Sequence, residues 1–293
     1  MKRKQLEQQT GLIAVGIFVA LMLFEMFGPM ILPENDGMYY YVAAVFSAVV
    51  LLVASILTAK IHNKKAKEFF SLKVFRLRWL PITLTGAGAA MLGAALINLA
   101  LSNIGLPDWM MPQVQNPFSA GVSDPIAPFW ALVVVPAVFE ELFIHGAAMN
   151  AFRGRGELPA VMYTALLFSM LHGSVTNLFG TFFAAVIYGY MTVVCGSVYP
   201  AMLAHLINNL LSGTITMYGQ NFFNIGYNTY FLFAAAILFL VCGFFYLGSL
   251  EKYFRRHSLD MPKRGGMLPV PLFVPIFVLL WVAKIVLSIY NIM

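Results

Sequence analysis

The sequence predicts an all-α polytopic membrane protein with eight or nine transmembrane helices around a central polar cavity. Three observations predict it. First, 60% of the 293 residues are hydrophobic, only 10% are charged, and mean hydropathy is +0.81. Soluble domains carry about 25% charged residues, so this chain lacks the polar side chains to cover a water-facing surface. Second, its apolar residues fall into long runs, and a bilayer asks for about 20 such residues per spanning helix. Third, all but one of its 18 lysines and arginines fall on one side of the topology those runs imply.

Nine runs can be marked: Gly11–Leu32, Met38–Ile61, Trp79–Ile104, Ile126–Phe152, Leu158–His172, Asn177–Cys195, Tyr199–Tyr218, Tyr227–Leu250 and Leu268–Ile292. The first follows Lys2, Arg3 and Lys4 in the manner of a targeting signal. It is longer than a signal-peptide core, however, and no small-x-small cleavage site follows, so it is expected to stay as a membrane helix. With the N-terminus in the cytoplasm, the cytoplasmic segments hold the cluster Lys60–Arg78, Arg153, Arg155 and Lys252–Arg264. The outer loops hold Glu34, Asp36, Asp108 and Asp124 and no lysine or arginine. This asymmetry predicts an integral membrane protein, of the plasma membrane, with its N-terminus inside. The net charge of +6 is thus topology information, and no nucleic-acid partner is expected. Lys284, the exception, lies in the last run and can snorkel to the outer interface. Trp109, Pro107 and Pro112 fall in a long outer loop, Ile104–Pro125, expected to rest at the interface.

The chain divides into N-terminal helices with the outer loop (1–125), a polar-bearing central group (126–218) and C-terminal helices (219–293). Cys195 and Cys242 lie inside apolar runs and make no disulfide framework. The third run reads Gly86-Ala-Gly-Ala-Ala-Met-Leu-Gly-Ala-Ala, and the sixth holds Ala185-x-x-x-Gly189. Such small-residue surfaces let helices approach closely.

The central group holds ionisable side chains where lipid should be. Glu140, Glu141, His145, His172 and His205 fall inside predicted spans, together with Asn209. Each ionisable group costs roughly 2.5–3.5 kcal/mol on insertion scales, and such residues mark function by default. One polar residue alone would be an interhelical hydrogen bond; two carboxylates and three histidines ask for more. Glu25 stands apart from this set and is expected to make a helix contact or lie at a wet outer edge, while Asn98 and Asn103 are expected to serve packing or helix ends. His62 and His257 sit in basic loops and are expected to be solvated, and Arg153-Gly-Arg-Gly-Glu157 reads as an orientation signal. Residues four apart share a helix face, which pairs Glu141 with His145, Phe168 with His172, and His205 with Asn209. Glu140 is turned about 100° from Glu141, so one carboxylate can face a cavity while the other braces a neighbour.

These residues resemble the motifs of the CAAX-protease and bacteriocin-processing (CPBP) family of intramembrane proteases: Glu-Glu-x-x-x-Arg, Phe-x-x-x-His and His-x-x-x-Asn. Phe168-Ser-Met-Leu-His172 and His205-Leu-Ile-Asn-Asn209 match fully, and Glu140-Glu141-Leu-Phe-Ile-His145 matches all but its last residue. The resemblance covers about Pro128–Leu211. It implies that Glu140 and His172 activate a water, that His205 and Asn209 stabilise the oxyanion, and that Glu141 and His145 brace the site. It also implies a membrane-associated protein or peptide substrate beside the lipid partner. Histidine for arginine is a departure, since arginine is permanently charged and histidine is not.

The chemistry of the residues agrees. A desolvated carboxylate is a better base, a nearby histidine can relay the proton, and each oxyanion donor is worth on the order of 3–4 kcal/mol of barrier. Ser169 is turned about 60° from His172, so a covalent mechanism is disfavoured. His-Glu-x-x-His is absent; no cofactor is expected, with zinc the alternative not favoured. The competing readings are a catalytically inactive scaffold or immunity-type protein of the same fold, and a proton-coupled transporter. The expected cavity lies between the fourth, fifth and seventh runs. At about 1.5 Å per residue, Glu140 and His172 lie about 18 and 21 Å from the cytoplasmic ends. His205 lies only about 9 Å deep, unless a re-entrant turn at Gly196–Tyr199 starts its helix below the surface.

Overall fold

The computed structural model describes residues 3–33, 36–102, 104, 124, 126–172, 175–222, 229–256 and a few positions between 275 and 283. The expectations for Trp109, Lys284, His257, Asn103 and most of the ninth run lie outside these residues. Among the described residues the regular structure is entirely helical: α1 (Arg3–Ile31), α2 (Gly37–Ile61), the single turn α3 (Ala66–Phe69), α4 (Leu80–Ser102), α5 (Ile126–Arg155), α6 (Glu157–Leu171), α7 (Val175–Cys195), α8 (Tyr199–Phe222) and α9 (Thr229–Arg256).

Six helical segments among the described residues are long and apolar enough to cross a membrane. Helix α6 falls short by length, at 15 residues. Helix α8 has 24 residues, but His205, Asn208 and Asn209 interrupt its apolar character. Helix α6 is largely shielded by its neighbours, so it needs no lipid-compatible surface all round.

Helix α7 packs against α4, α6 and α8, and α8 also meets α4 and α5. Small residues make these approaches close. A Cβ on Gly86 would lie 2.4 Å from the Met191 side chain, and one on Gly93 2.2 Å from Phe183. A Cβ on Gly88 would lie 2.7 Å from Cys242 Sγ, so the same surface also receives α9. The predicted packing role of Gly86–Ala95 is what the structure displays.

Two local features set the geometry of the polar residues. Helix α5 is wound with i→i+5 hydrogen bonds over Trp130–Val134, Pro136–Glu140 and Leu142–Ala148. Pro136 has no N–H to give the regular ladder, which favours the wider turn. Wider turns reduce the angle between Glu140 and Glu141 below the expected 100°, while positions four apart remain neighbours. The second feature is the α7–α8 connection. Gly196 takes the left-handed region (φ +62°), and Ser197 and Val198 are fully buried. The Val198 N–H donates to Ser71 O (3.1 Å) and Ser197 Oγ donates to Lys73 O (2.8 Å). The 69–73 segment therefore packs directly against this turn, at the start of α8.

The charged end of the bundle is also knitted together. Glu7 is almost fully buried and accepts from Arg3 (2.9 Å) and from both guanidinium nitrogens of Arg155 that face it. Arg155 thus ties α5 to α1, beyond any orientation signal. His62 is a correction: it is half-buried, with Nε2 3.2 Å from Thr10 Oγ1 and its ring on Phe69. Burial lowers its pKa from 6.5, and the carboxylate of Glu7 opposes that shift. The sequence could not show this, because the covering residues come from α1 and from the turn after α2.

Candidate active site

Glu141 is the hub. It is fully buried, as is His145, and His145 Nδ1–H donates to Glu141 Oε2 at 2.5 Å. The His205 Nδ1–H donates to Glu141 Oε1 at 2.9 Å, from a helix 64 residues further on. A carboxylate removed from water must have its lone pairs filled, and two imidazoles fill them here. The bracing pair Glu141–His145 is present as the resemblance implies. The bond from Glu141 to His205 is additional to it.

Two aromatic rings hold the histidines. Tyr188, on α7, stacks on His205 with centroids 5.5 Å apart and meets His145 edge-on at 6.5 Å. Phe168 meets His172 at 4.6 Å and His205 at 5.7 Å. The first residue of the Phe-x-x-x-His motif therefore separates two imidazoles, which gives it a physical role. Gly189, one residue past Tyr188, leaves room for His145: a Cβ there would lie 3.3 Å from His145 Cδ2.

His172 sits at the end of α6, exposed, with Nδ1–H donating to Phe168 O at 2.8 Å. That bond fixes the tautomer and leaves the Nε2 lone pair as the acceptor. His172, His205 and Asn209 line one cavity of about 650 Å³. Its walls come from α4, α6, α7 and α8, with Ala235 of α9. The expected cavity between the fourth, fifth and seventh runs is thus displaced toward α4 and α7, and α5 contributes no lining residue to this one. Glu140 is not among the residues that line this cavity. It is half-buried, its Oε2 is enclosed without a hydrogen-bond partner among the described residues, and its charge reaches His205. An enclosed, unfilled acceptor of this kind is a natural place for a bound water.

Sequence reasoning missed several polar residues of the cavity. Asn98 makes the expected helix contact, its Nδ2 donating to Asn177 Oδ1 at 3.3 Å, and beyond that both line the cavity with Asn208, Thr181 and Tyr188. Asn208, directly before Asn209, was the legible one. Ser169 is fully buried and its hydroxyl donates to Leu166 O, so it presents no nucleophile. Among the described residues no three histidine, cysteine or carboxylate side chains are arranged to hold a metal, and both Nδ1 atoms nearest Glu141 are engaged by its oxygens. Cys195 and Cys242 are free thiols.

The apolar helices make this an integral membrane protein, and its polar motifs are similar to those of CAAX proteases. Residues 122–211 match the family model described as type II CAAX prenyl endopeptidase Rce1-like. The match covers under a third of the chain and contains all three motifs, and it bears out the resemblance to the CAAX-protease and bacteriocin-processing family. No curated protein and no solved structure matches the chain.

Proposed function

We propose that this protein is an intramembrane endopeptidase that hydrolyses a peptide bond of a membrane-associated protein or peptide, using a water activated by Glu140 and His172. The observation that carries the reading is the placement of His172, His205 and Asn209 on one cavity wall, with His205 anchored from behind by Glu141. His172, with its Nδ1–H tied to Phe168 O, offers Nε2 to take a proton from the water, and Glu140, whose enclosed Oε2 has no protein partner among the described residues, is assigned the second role in activating it. The hydroxide adds to the scissile carbonyl carbon, and the carbonyl oxygen becomes an oxyanion. His205 as imidazolium donates to it from Nε2, its Nδ1–H held by Glu141, while Asn209 donates from Nδ2, one helical turn along. The proton taken from water then passes to the leaving amine, and the carbon–nitrogen bond breaks.

The mechanism is metal-free, so chelators should leave turnover unchanged. His145 fills the place of the family arginine by bonding the second carboxylate, which favours a working site over an inactive scaffold. The distribution of basic residues supports a cytoplasmic N-terminus.

The test compares membranes containing the wild type with membranes containing Glu140→Gln, by mass spectrometry of newly formed peptide ends. New ends that appear only with the wild type are expected. Identical peptides with both forms, at equal expression, would overturn the assignment.

A further inference from the structure

Between the turn α3 and helix α4 the chain runs as a strap whose two ends are fixed; between them the half-buried Phe75 meets Trp79 edge-on at 6.0 Å, and Leu77–Trp79 form a single 3₁₀ turn. At the first end Phe69, Phe70 and Ser71 are buried. Asn150 Nδ2 donates to Phe69 O (2.6 Å) and Ser71 Oγ (3.0 Å), and the α7–α8 turn bonds Ser71 O and Lys73 O. At the second end Trp79 is buried, with the Arg76 guanidinium 5.8 Å from its ring.

Between these anchors Lys73, Arg76 and Arg78 are exposed, and Val74 and Leu77 are each 82% exposed. Two aliphatic side chains held out by a backbone that is pinned at both ends have no protein partner to bury them. They alternate with three cations, and Lys64, Lys65 and Lys67 stand just upstream. Glu68 is the acidic residue on this stretch. Apolar tips beside guanidinium and ammonium groups suit the boundary between acyl chains and negatively charged headgroups.

We propose that the strap Lys73–Arg78 seats the headgroup of an anionic phospholipid, with Val74 and Leu77 in the upper acyl region and Lys73, Arg76 and Arg78 on the phosphate. The seat also fixes depth. The strap covers the turn from which α8 departs, and His205 lies six residues into that helix, roughly 9 Å further along its axis at 1.5 Å per residue. A strap held at headgroup level therefore holds His205 below the membrane surface.

The experiment titrates fluorescently labelled phosphatidylglycerol, with labelled phosphatidylcholine as control, into the full-length protein in non-ionic detergent micelles. Each basic side chain near an anionic surface is worth about fivefold in binding, so the triple variant K73Q/R76Q/R78Q should bind phosphatidylglycerol about 100-fold more weakly. Its phosphatidylcholine binding should be unchanged. The double variant K73Q/R78Q, which keeps the Arg76–Trp79 contact, should lose about 25-fold by the same reckoning, and V74S/L77S should weaken both lipids. Circular dichroism and Tm matching the wild type confirm that the variants are folded. The proposal is overturned if the wild type binds the two lipids equally, if the double variant stays within twofold of it, or if millimolar inorganic phosphate displaces the labelled lipid, which would make this a free-phosphate site.

Discussion

Replacing Glu141 by Gln tests whether this carboxylate acts through His205. Glu141 fills both oxygens with imidazole N–H groups, at 2.5 and 2.9 Å, and lines no part of the described cavity. Glutamine keeps the shape but offers one oxygen and one NH2, so one of the two Nδ1–H groups must meet a donor. The histidine concerned must either lose its bond or move its proton to Nε2. Either way the anion that balances an imidazolium at position 205 is gone. A hydrogen bond to a charged group contributes about 1.5–3 kcal/mol. At about 1.36 kcal/mol per tenfold, kcat should fall about 10- to 150-fold. KM should stay near the wild-type value, because Glu141 does not face the substrate. Tm should fall as well, since breaking a buried pair costs about 3–5 kcal/mol. The assay is steady-state cleavage of an internally quenched peptide by the protein in lipid vesicles, with Glu141→Asp alongside as the variant that keeps the charge. Glu141→Asp should recover part of kcat. A Glu141→Gln variant with kcat within twofold of wild type, or one that raises KM alone, would refute the coupling.

Three other outcomes follow from the same geometry. Asn209→Ala should lower kcat by about 10²–10³ with KM little changed, as loss of one oxyanion donor does; steady-state cleavage checks it. Gly189→Ala would place a Cβ 2.9 Å from Val161 Cγ1 and 3.3 Å from His145 Cδ2, so it should cost about 1–3 kcal/mol of stability and lower kcat by disturbing the His145–Glu141 bond. Thermal unfolding and cleavage measure the two effects. His62 gives a pH dependence: its folded pKa is lowered by burial, so the unfolded chain takes the proton first. Stability from this group is full above about pH 6.5 and declines as pH falls toward the folded value, and Tm scans from pH 8 to 5 should be flatter for His62→Gln.

Helix positions and much of the site were legible because composition and periodicity report on single helices. Runs such as Met38–Ile61 must be helical to satisfy their backbone in lipid, and four-residue spacing places His205 with Asn209 on one face. Periodicity does not say which face meets which. The bond from Glu141 to His205, the Tyr188 stack and the displacement of the cavity toward α4 all depend on how separate helices dock. The cover over the α7–α8 turn was hidden for a similar reason: Phe69-Phe70-Ser71 reads as a short apolar interruption in a basic loop, and only its contacts with Asn150 and Val198 reveal it as interior. Helix α8 was counted as an ordinary span because its length is right. Its polar residues face inward onto a cavity, and it does not meet the apolar standard of its neighbours.

The claim at the centre is that bound water, activated by carboxylate and imidazole, attacks the peptide bond directly. Cleavage of a membrane-associated peptide by the purified protein in vesicles made with ¹⁸O water, with hydroxylamine present, tests it most directly. One solvent oxygen in the new carboxylate and no hydroxamate product is the predicted result. A hydroxamate would reveal an acyl-enzyme, and that result would contradict the account.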